Sequence, residues 1–151
     1  MDNIFINYPL SIFNYPLIIM LNLEIVTPEK RVLSEPVDAV TVPTASGEIG
    51  ILTNHAPLIS SLRSGILSYT KGGTTQKMVI SGGFVEVSAN NVSILADVAE
   101  DSAEVDTEAA RIEREAAERI VRDWKGTEEE LESEIERLER ANARLQLASG
   151  K

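Results

Sequence analysis

His55 is the only imidazole in the chain, and there is no cysteine. A Ser–His–acid triad would have to be built on His55, and no strained nucleophile turn surrounds it. Thiolate nucleophiles, disulfides and multi-histidine metal sites are closed to a single copy. His55 stands between Asn54 and Ala56-Pro57, so it reads as a turn residue bonded to nearby backbone, not as a ligand or base. Two glycine pairs invite a phosphate-loop reading: Gly47 and Gly50 around Glu48-Ile49, and Gly82-Gly83 ahead of Phe84. Neither is followed by a Walker lysine or an opening helix. The first pair reads as a bend or bulge between strands, the second as a tight corner. No carboxylate spacing points to an acid–base pair or a metal, so an enzyme is the weakest of the readings.

The formal net charge of −10 argues against a nucleic-acid surface, which needs clustered Lys and Arg to neutralise phosphates. The 151 residues suffice for one ordinary domain and an appendage. Residues 1–20 differ from the rest: Phe5, Tyr8, Phe13 and Tyr15 lie there, and Asn7-Tyr8-Pro9-Leu10 recurs as Asn14-Tyr15-Pro16-Leu17. There is no basic n-region, and Pro9 and Pro16 interrupt the run, so neither a signal peptide nor a membrane span is expected. We expect an upstream extension without ordered structure, and a working start at Met20.

From Leu21 to about Asp97 the pattern is β. Leu21, Leu23 and Ile25 alternate with Asn22, Glu24 and Val26 until Thr27-Pro28. Val40–Val42 alternates and stops at Pro43. Ile66–Thr70 and Lys77–Ile80 flank Lys71-Gly72-Gly73, while Phe84–Val87 and Val92–Leu95 flank Ala89-Asn90-Asn91, two hairpin signals. Short strands at this spacing predict an antiparallel sandwich over 21–104, and with the following helices an α+β fold.

The period switches near Asp106. A helix over about 107–124 is expected, capped by Asp106 or Thr107, with Ala109, Ile112, Ala116, Ile120 and Trp124 as its apolar stripe and Gly126 as its stop. Thr127-Glu128-Glu129-Glu130 is a capping-box pattern that opens a second helix over about 128–147, with the seam Leu131, Ile135, Leu138, Asn142, Leu145. The tight connection predicts an antiparallel hairpin over 105–151. Its small residues predict weak attachment, worth only a few kcal/mol at about 25 cal/mol per Å². Arg137, Arg140 and Arg144 share one face of the second helix, where Glu134, Glu136 and Glu139 can balance them on a solvated surface.

Three runs, Pro43–Leu52, Asn54–Leu58 and Ser81–Val87, followed by the charged hairpin, resemble in order and spacing the epsilon subunit of the F-type ATP synthase, called delta in mitochondria. The resemblance covers about Leu21 to Ser149. It implies a non-catalytic rotor subunit of the proton-translocating synthase, whose sandwich joins the gamma subunit to the membrane c-ring. It also implies a hairpin that lies compactly on the sandwich or extends to the alpha and beta subunits of the catalytic head, blocking hydrolysis. Glu48 and His55 match residues near the c-ring, and Arg137, Arg140 and Arg144 match basic residues that meet an acidic loop on the head. Some members bind ATP through Ile/Leu-Asp-x-x-Arg-Ala. Here Asp106 and Ala110 match, but Ala109 replaces the arginine and Arg111 is turned about 200° away, so weak or absent ATP binding and no cofactor are expected. The implied place is the cytoplasmic side of a bacterial inner membrane, ahead of the stromal side of a thylakoid. The competing reading from the residues alone is a free-standing β-sandwich binding module with a dimerising helical tail.

Overall fold

The computed structural model describes residues 19–150. Most of the expected extension, residues 1–18, lies outside the described residues, and exposed Ile19 leads into the first strand. Ten strands come first: β1 Leu21–Val26, β2 Arg31–Val37, β3 Ala39–Thr44, β4 Gly47–Ile51, β5 Leu58–Ser61, β6 Gly65–Lys71, β7 Thr74–Ser81, β8 Phe84–Ser88, β9 Asn91–Leu95 and β10 Val98–Glu100. Two helices follow, α1 Thr107–Arg122 and α2 Glu128–Ala148.

The strands form two five-stranded sheets, sheet A in the order β2-β1-β9-β8-β5 and sheet B in the order β10-β7-β6-β3-β4. All pairings are antiparallel except β1 with β9, which run parallel from Asn22↔Asn91 to Val26↔Leu95. Alternation puts Leu21, Leu23 and Ile25 of β1 and Val85 and Val87 of β8 between the sheets, where each is at most 1% exposed. Aliphatic side chains fill that space, and Tyr69 packs at its margin.

Both expected hairpin turns are present. Gly72 and Gly73 take φ of 56° and 79°, and Ala89 and Asn90 take 47° and 64°. Gly83 makes the second corner and has no alternative, because a Cβ there would stand 1.7 Å from the Leu95 carbonyl oxygen at φ +83°. The first glycine pair departs from expectation. Gly47 to Ile51 is a regular strand paired with β3 (Val42↔Ile49, Thr44↔Gly47), so the chain turns at Ala45-Ser46 and does not bulge around Glu48-Ile49.

In the hairpin, Asp106 Oδ1 accepts the Ala109 N–H at 2.9 Å and caps α1. Thr127 and Glu130 complete a reciprocal capping box on α2. α1 ends at Arg122, four residues short of Gly126, with Asp123 as its cap. The Trp124 indole N–H, donating to the Thr127 carbonyl at 3.1 Å, then fixes the connection. The stripe on α1 is rotated from the expected one. Ala110 and Ala117 are buried, whereas Ala109, Ile112 and Ile120 are exposed, the isoleucines at 56% and 38%. On α2 the polar step Asn142 is exposed, and Ala141, Ala143 and Leu147 carry the buried contacts.

Candidate functional site

The sandwich has two outer faces, and they differ. Sheet B is covered: α2 lies across β6 and β7, and Val79, Ile66 and Val105 pack with Ala143 and Leu147. Among the described residues, neither helix packs across sheet A. On its outer face the register aligns Ser61, Phe84, Leu95 and Val26 across four strands, and the next row begins with Ile59 opposite Glu86. Phe84, Leu95 and Ile59 are 57%, 54% and 73% exposed, an apolar patch on an otherwise polar face. Val26, Pro28, Phe84 and Leu95 line a groove beside it. Sequence reading missed this patch, yet a signal was there. Phe84 shares its parity with Glu86, while Val85 and Val87 share the other, so the aromatic must point outward with the acid.

Glu48 and His55 are not brought together. Glu48, exposed, pairs with Pro43 beside the β3–β4 turn, which touches the far end of β5 through the Ala45 N–H donating to Ser61 O at 3.0 Å. His55 lies beyond the other end of β4, in a loop held to the β8–β9 turn by the Asn54 N–H donating to Asn90 Oδ1 at 2.7 Å. The His55 Nδ1–H donates to the Ala56 carbonyl at 2.7 Å, and its backbone N–H to Leu52 O at 3.1 Å.

Arg137, Arg140 and Arg144 do share one face of α2, but it is not a solvated one: all three are half-buried. Of the expected local pairs, Arg137–Glu134 forms, at 3.4 Å. The remaining partners come from elsewhere. Glu113 of α1 accepts from Arg140 Nη2 at 2.6 Å and from Arg137 Nε at 3.4 Å on one oxygen, and from Arg144 Nη1 at 3.1 Å on the other. Arg144 also forks onto Glu100 of β10, with Nε and Nη2 each at 2.7 Å. Glu139 turns the other way and takes a bidentate bond from Arg63, which follows β5, at 3.2 and 2.9 Å. Partial burial pushes the Glu113 carboxyl up, but the hydrogen bonds from Arg140 and Arg137 and the Arg140 and Arg144 charges outweigh it, so its pKa is lowered. The Glu100 hydrogen bond holds the Arg144 guanidinium in its charged form. Glu113 and Glu100 lie 31 and 44 residues from Arg144, so no local spacing marked them.

Around the ATP-like motif, Asp106 is spent as the helix cap, Ala109 is exposed and Ala110 is buried. Arg111 points away and pairs with Glu108 at 2.6 Å and Glu115 at 2.7 Å. The seam Leu131, Ile135, Leu138 and Leu145 is already half-buried within one chain, with α1 packed on α2, which leaves little of it for a dimer. No helix among the described residues is long and apolar enough to cross a membrane.

Residues 20–102 match the family described as ATP synthase, Delta/Epsilon chain, beta-sandwich domain. The ATP synthase epsilon chain of Herpetosiphon aurantiacus is 48% identical over 85% of this chain and 93% of its own. That of Symbiobacterium thermophilum is 42% identical over 85% and 92%. Among solved structures, a chain of the Euglena gracilis mitochondrial ATP synthase superposes with a TM-score of 0.72 at 29% identity, covering 86% of this chain and 81% of that one. A chain of the Tetrahymena thermophila central stalk and c-ring shares the fold, with a TM-score of 0.59 at 17% identity over 86% and 94%. The sandwich followed by a helical hairpin, and relatives matched almost end to end, lead to one conclusion: the chain belongs to the ATP synthase delta/epsilon family.

Proposed function

We propose that this chain is the central-stalk subunit that couples the c-ring to gamma in a proton-translocating ATP synthase, and that its hairpin brakes ATP hydrolysis. As a family member it is a non-catalytic subunit. The observation that carries the coupling role is the asymmetry of the sandwich: sheet B is covered by the chain's own α2, while Phe84, Leu95 and Ile59 stay open on sheet A. An apolar patch with Glu86 and Glu24 in the next row suits a partner face with an apolar centre and a basic rim, and gamma is the partner assigned to it. The rigid, fully packed sandwich then transmits torque, and the complex holds the chain peripherally at the cytoplasmic side of the bacterial membrane.

Glu48 and His55 are the residues proposed to face the c-ring. Because β4 separates them, Glu48→Lys and His55→Ala test two contacts, not one. Arg137, Arg140 and Arg144 are proposed to dock on an acidic segment of the catalytic head once the hairpin leaves the sandwich. The deciding experiment measures ATP hydrolysis by an assembled catalytic head with the full chain, with a chain ending at Val105, and with neither. Inhibition by the full chain alone supports the brake. Equal rates with both, with gamma still bound, leave a coupling subunit without a brake. Failure of Phe84→Asp and Leu95→Asp to weaken gamma binding would remove the sheet A assignment.

A further inference from the structure

The apolar patch on sheet A has an apolar segment of the same chain within reach. Residues 4–18 carry Phe5, Tyr8, Phe13 and Tyr15 among aliphatic neighbours and hold no lysine or arginine, and Asp2 is the one charged side chain ahead of Glu24. Asn7-Tyr8-Pro9-Leu10 and Asn14-Tyr15-Pro16-Leu17 each offer an aromatic ring next to a proline. Proline fixes its own φ and keeps the residue before it extended, which lowers the entropy lost when such a stretch is laid on a surface. The segment enters the fold at Leu21, the first residue of β1, and β1 is itself a strand of sheet A. Val26 ends β1 beside Leu95, and Leu95 pairs with Phe84, so the patch lies about 20 Å from Leu21. About six extended residues span that distance, so Phe13 and Tyr8 can reach it even after a reversal of the chain.

We propose that residues 4–17 fold back over the outer face of sheet A and cover Phe84 and Leu95 while the chain is free, and that a partner taking this face displaces them. The groove of Val26, Pro28, Phe84 and Leu95 supplies the seat. At about 350 Å³ it stands at the small end of ligand pockets, with room for one or two side chains and not for a folded element. The exposed Ile112 and Ile120 of α1 belong instead to the hairpin that packs on sheet B, on the far side of the sandwich. A short tether holds the segment near the patch at roughly millimolar effective concentration, so a grip too weak to bind between molecules suffices within one. The same weakness makes the cover removable. Glu24 and Glu86 stand in the next row, and a segment without cations cannot use them. A partner with a basic rim gains those pairs on top of the apolar contact, and that difference lets it win. The gamma reading enters only as the identity of that partner; the cover is a property of the isolated 151-residue chain.

The chain lacks cysteine, so a spin label on Ser11→Cys is unique. In the full chain it should broaden the amide signals of Phe84, Ser93 and Leu95 and spare Ile112 and Ile120 of α1, at low and at high salt alike. Phe5→Asn, Tyr8→Asn, Phe13→Asn and Tyr15→Asn together leave residues 19–150 untouched and should abolish that broadening. The same quadruple variant should bind purified gamma subunit about threefold more tightly than wild type, the gain expected when the open face rises from about a third of the population to nearly all of it. Broadening that is absent, centred on α1, or retained by the quadruple variant overturns the cover. Broadening lost as expected with gamma affinity unchanged leaves the cover standing and removes gamma from sheet A. Absent broadening with gamma binding weakened by Phe84→Asp does the reverse: the cover falls and the gamma assignment stands.

Discussion

Between the two sheets the contacts are Leu21, Leu23, Ile25, Leu67, Ile80 and Ile94, all at or near zero exposure. Between α2 and sheet B they are Ala143, Leu147, Val79 and Ile66, framed by Arg63–Glu139 and Arg144–Glu100. Apolar burial has no geometric alternative once the strands pair, and it leaves the sheets one arrangement. Half-buried ion pairs can be exchanged for other charged partners at little net cost, because desolvation cancels much of their attraction. The two regions thus divide the work by the kind of contact each uses: the part built on aliphatic packing stays fixed, and the part seated by exchangeable charges can leave.

The largest test removes packing from the fixed part. Leu23→Ala should cost about 2–5 kcal/mol in urea unfolding of the sandwich. A cost below about 1 kcal/mol would mean that the sheets adjust and that the contrast with the hairpin is overdrawn. Next, Ala117→Leu overfills the α1–α2 contact, where Ala117 is fully buried, and should cost about 1–3 kcal/mol there alone. Hydrogen exchange should show faster opening of α1 and unchanged protection in β1 and β9; faster exchange in both regions would join what the comparison separates.

Acid is the third lever. The Glu113 pKa is lowered in the folded chain, so its stabilising contribution is complete above the ordinary glutamate value of roughly 4.3 and is lost as pH falls through the folded value. The hairpin should therefore loosen below about pH 4 while the apolar sandwich persists, and Glu113→Gln should flatten that dependence. Amide protection of α2 measured against pH in the two proteins decides it. The smallest effect is expected from Arg63→Gln. Its side chain is 34% exposed, so losing the Glu139 bond should cost about 0–1 kcal/mol and register as modestly faster proteolysis in α2.

How much was legible in the sequence follows the same division. β1, β6 to β9 and the two hairpin turns were readable because alternation and turn residues are local. β2, β5 and β10 were not: β2 and β5 are sheet edges that mix polar with apolar residues, β2 contains Pro36, and β10 is three residues long. The helices and their caps were legible, but the rotation of α1 was not. Alanine serves equally on two neighbouring stripes, and the choice fell to Glu113, which must face the α2 arginines and brings Ala110 and Ala117 with it. The arginine face could be read; its partners could not, since Glu113 and Glu100 become neighbours only after folding.

The parallel ladder between β1 and β9 has a consequence in time. Asn22 meets Asn91 across 69 residues, so β1, which can pair locally with β2, cannot fill its second edge until nearly the whole sandwich has been synthesised. Closing that long loop costs chain entropy before any contact rewards it, which makes the ladder a late and rate-limiting event, whereas α1 and α2 can pair locally within microseconds. Until Leu95 emerges, Leu21–Val26 has only β2 beside it and its other edge stands open, and that interval is when a growing chain is most exposed to aggregation.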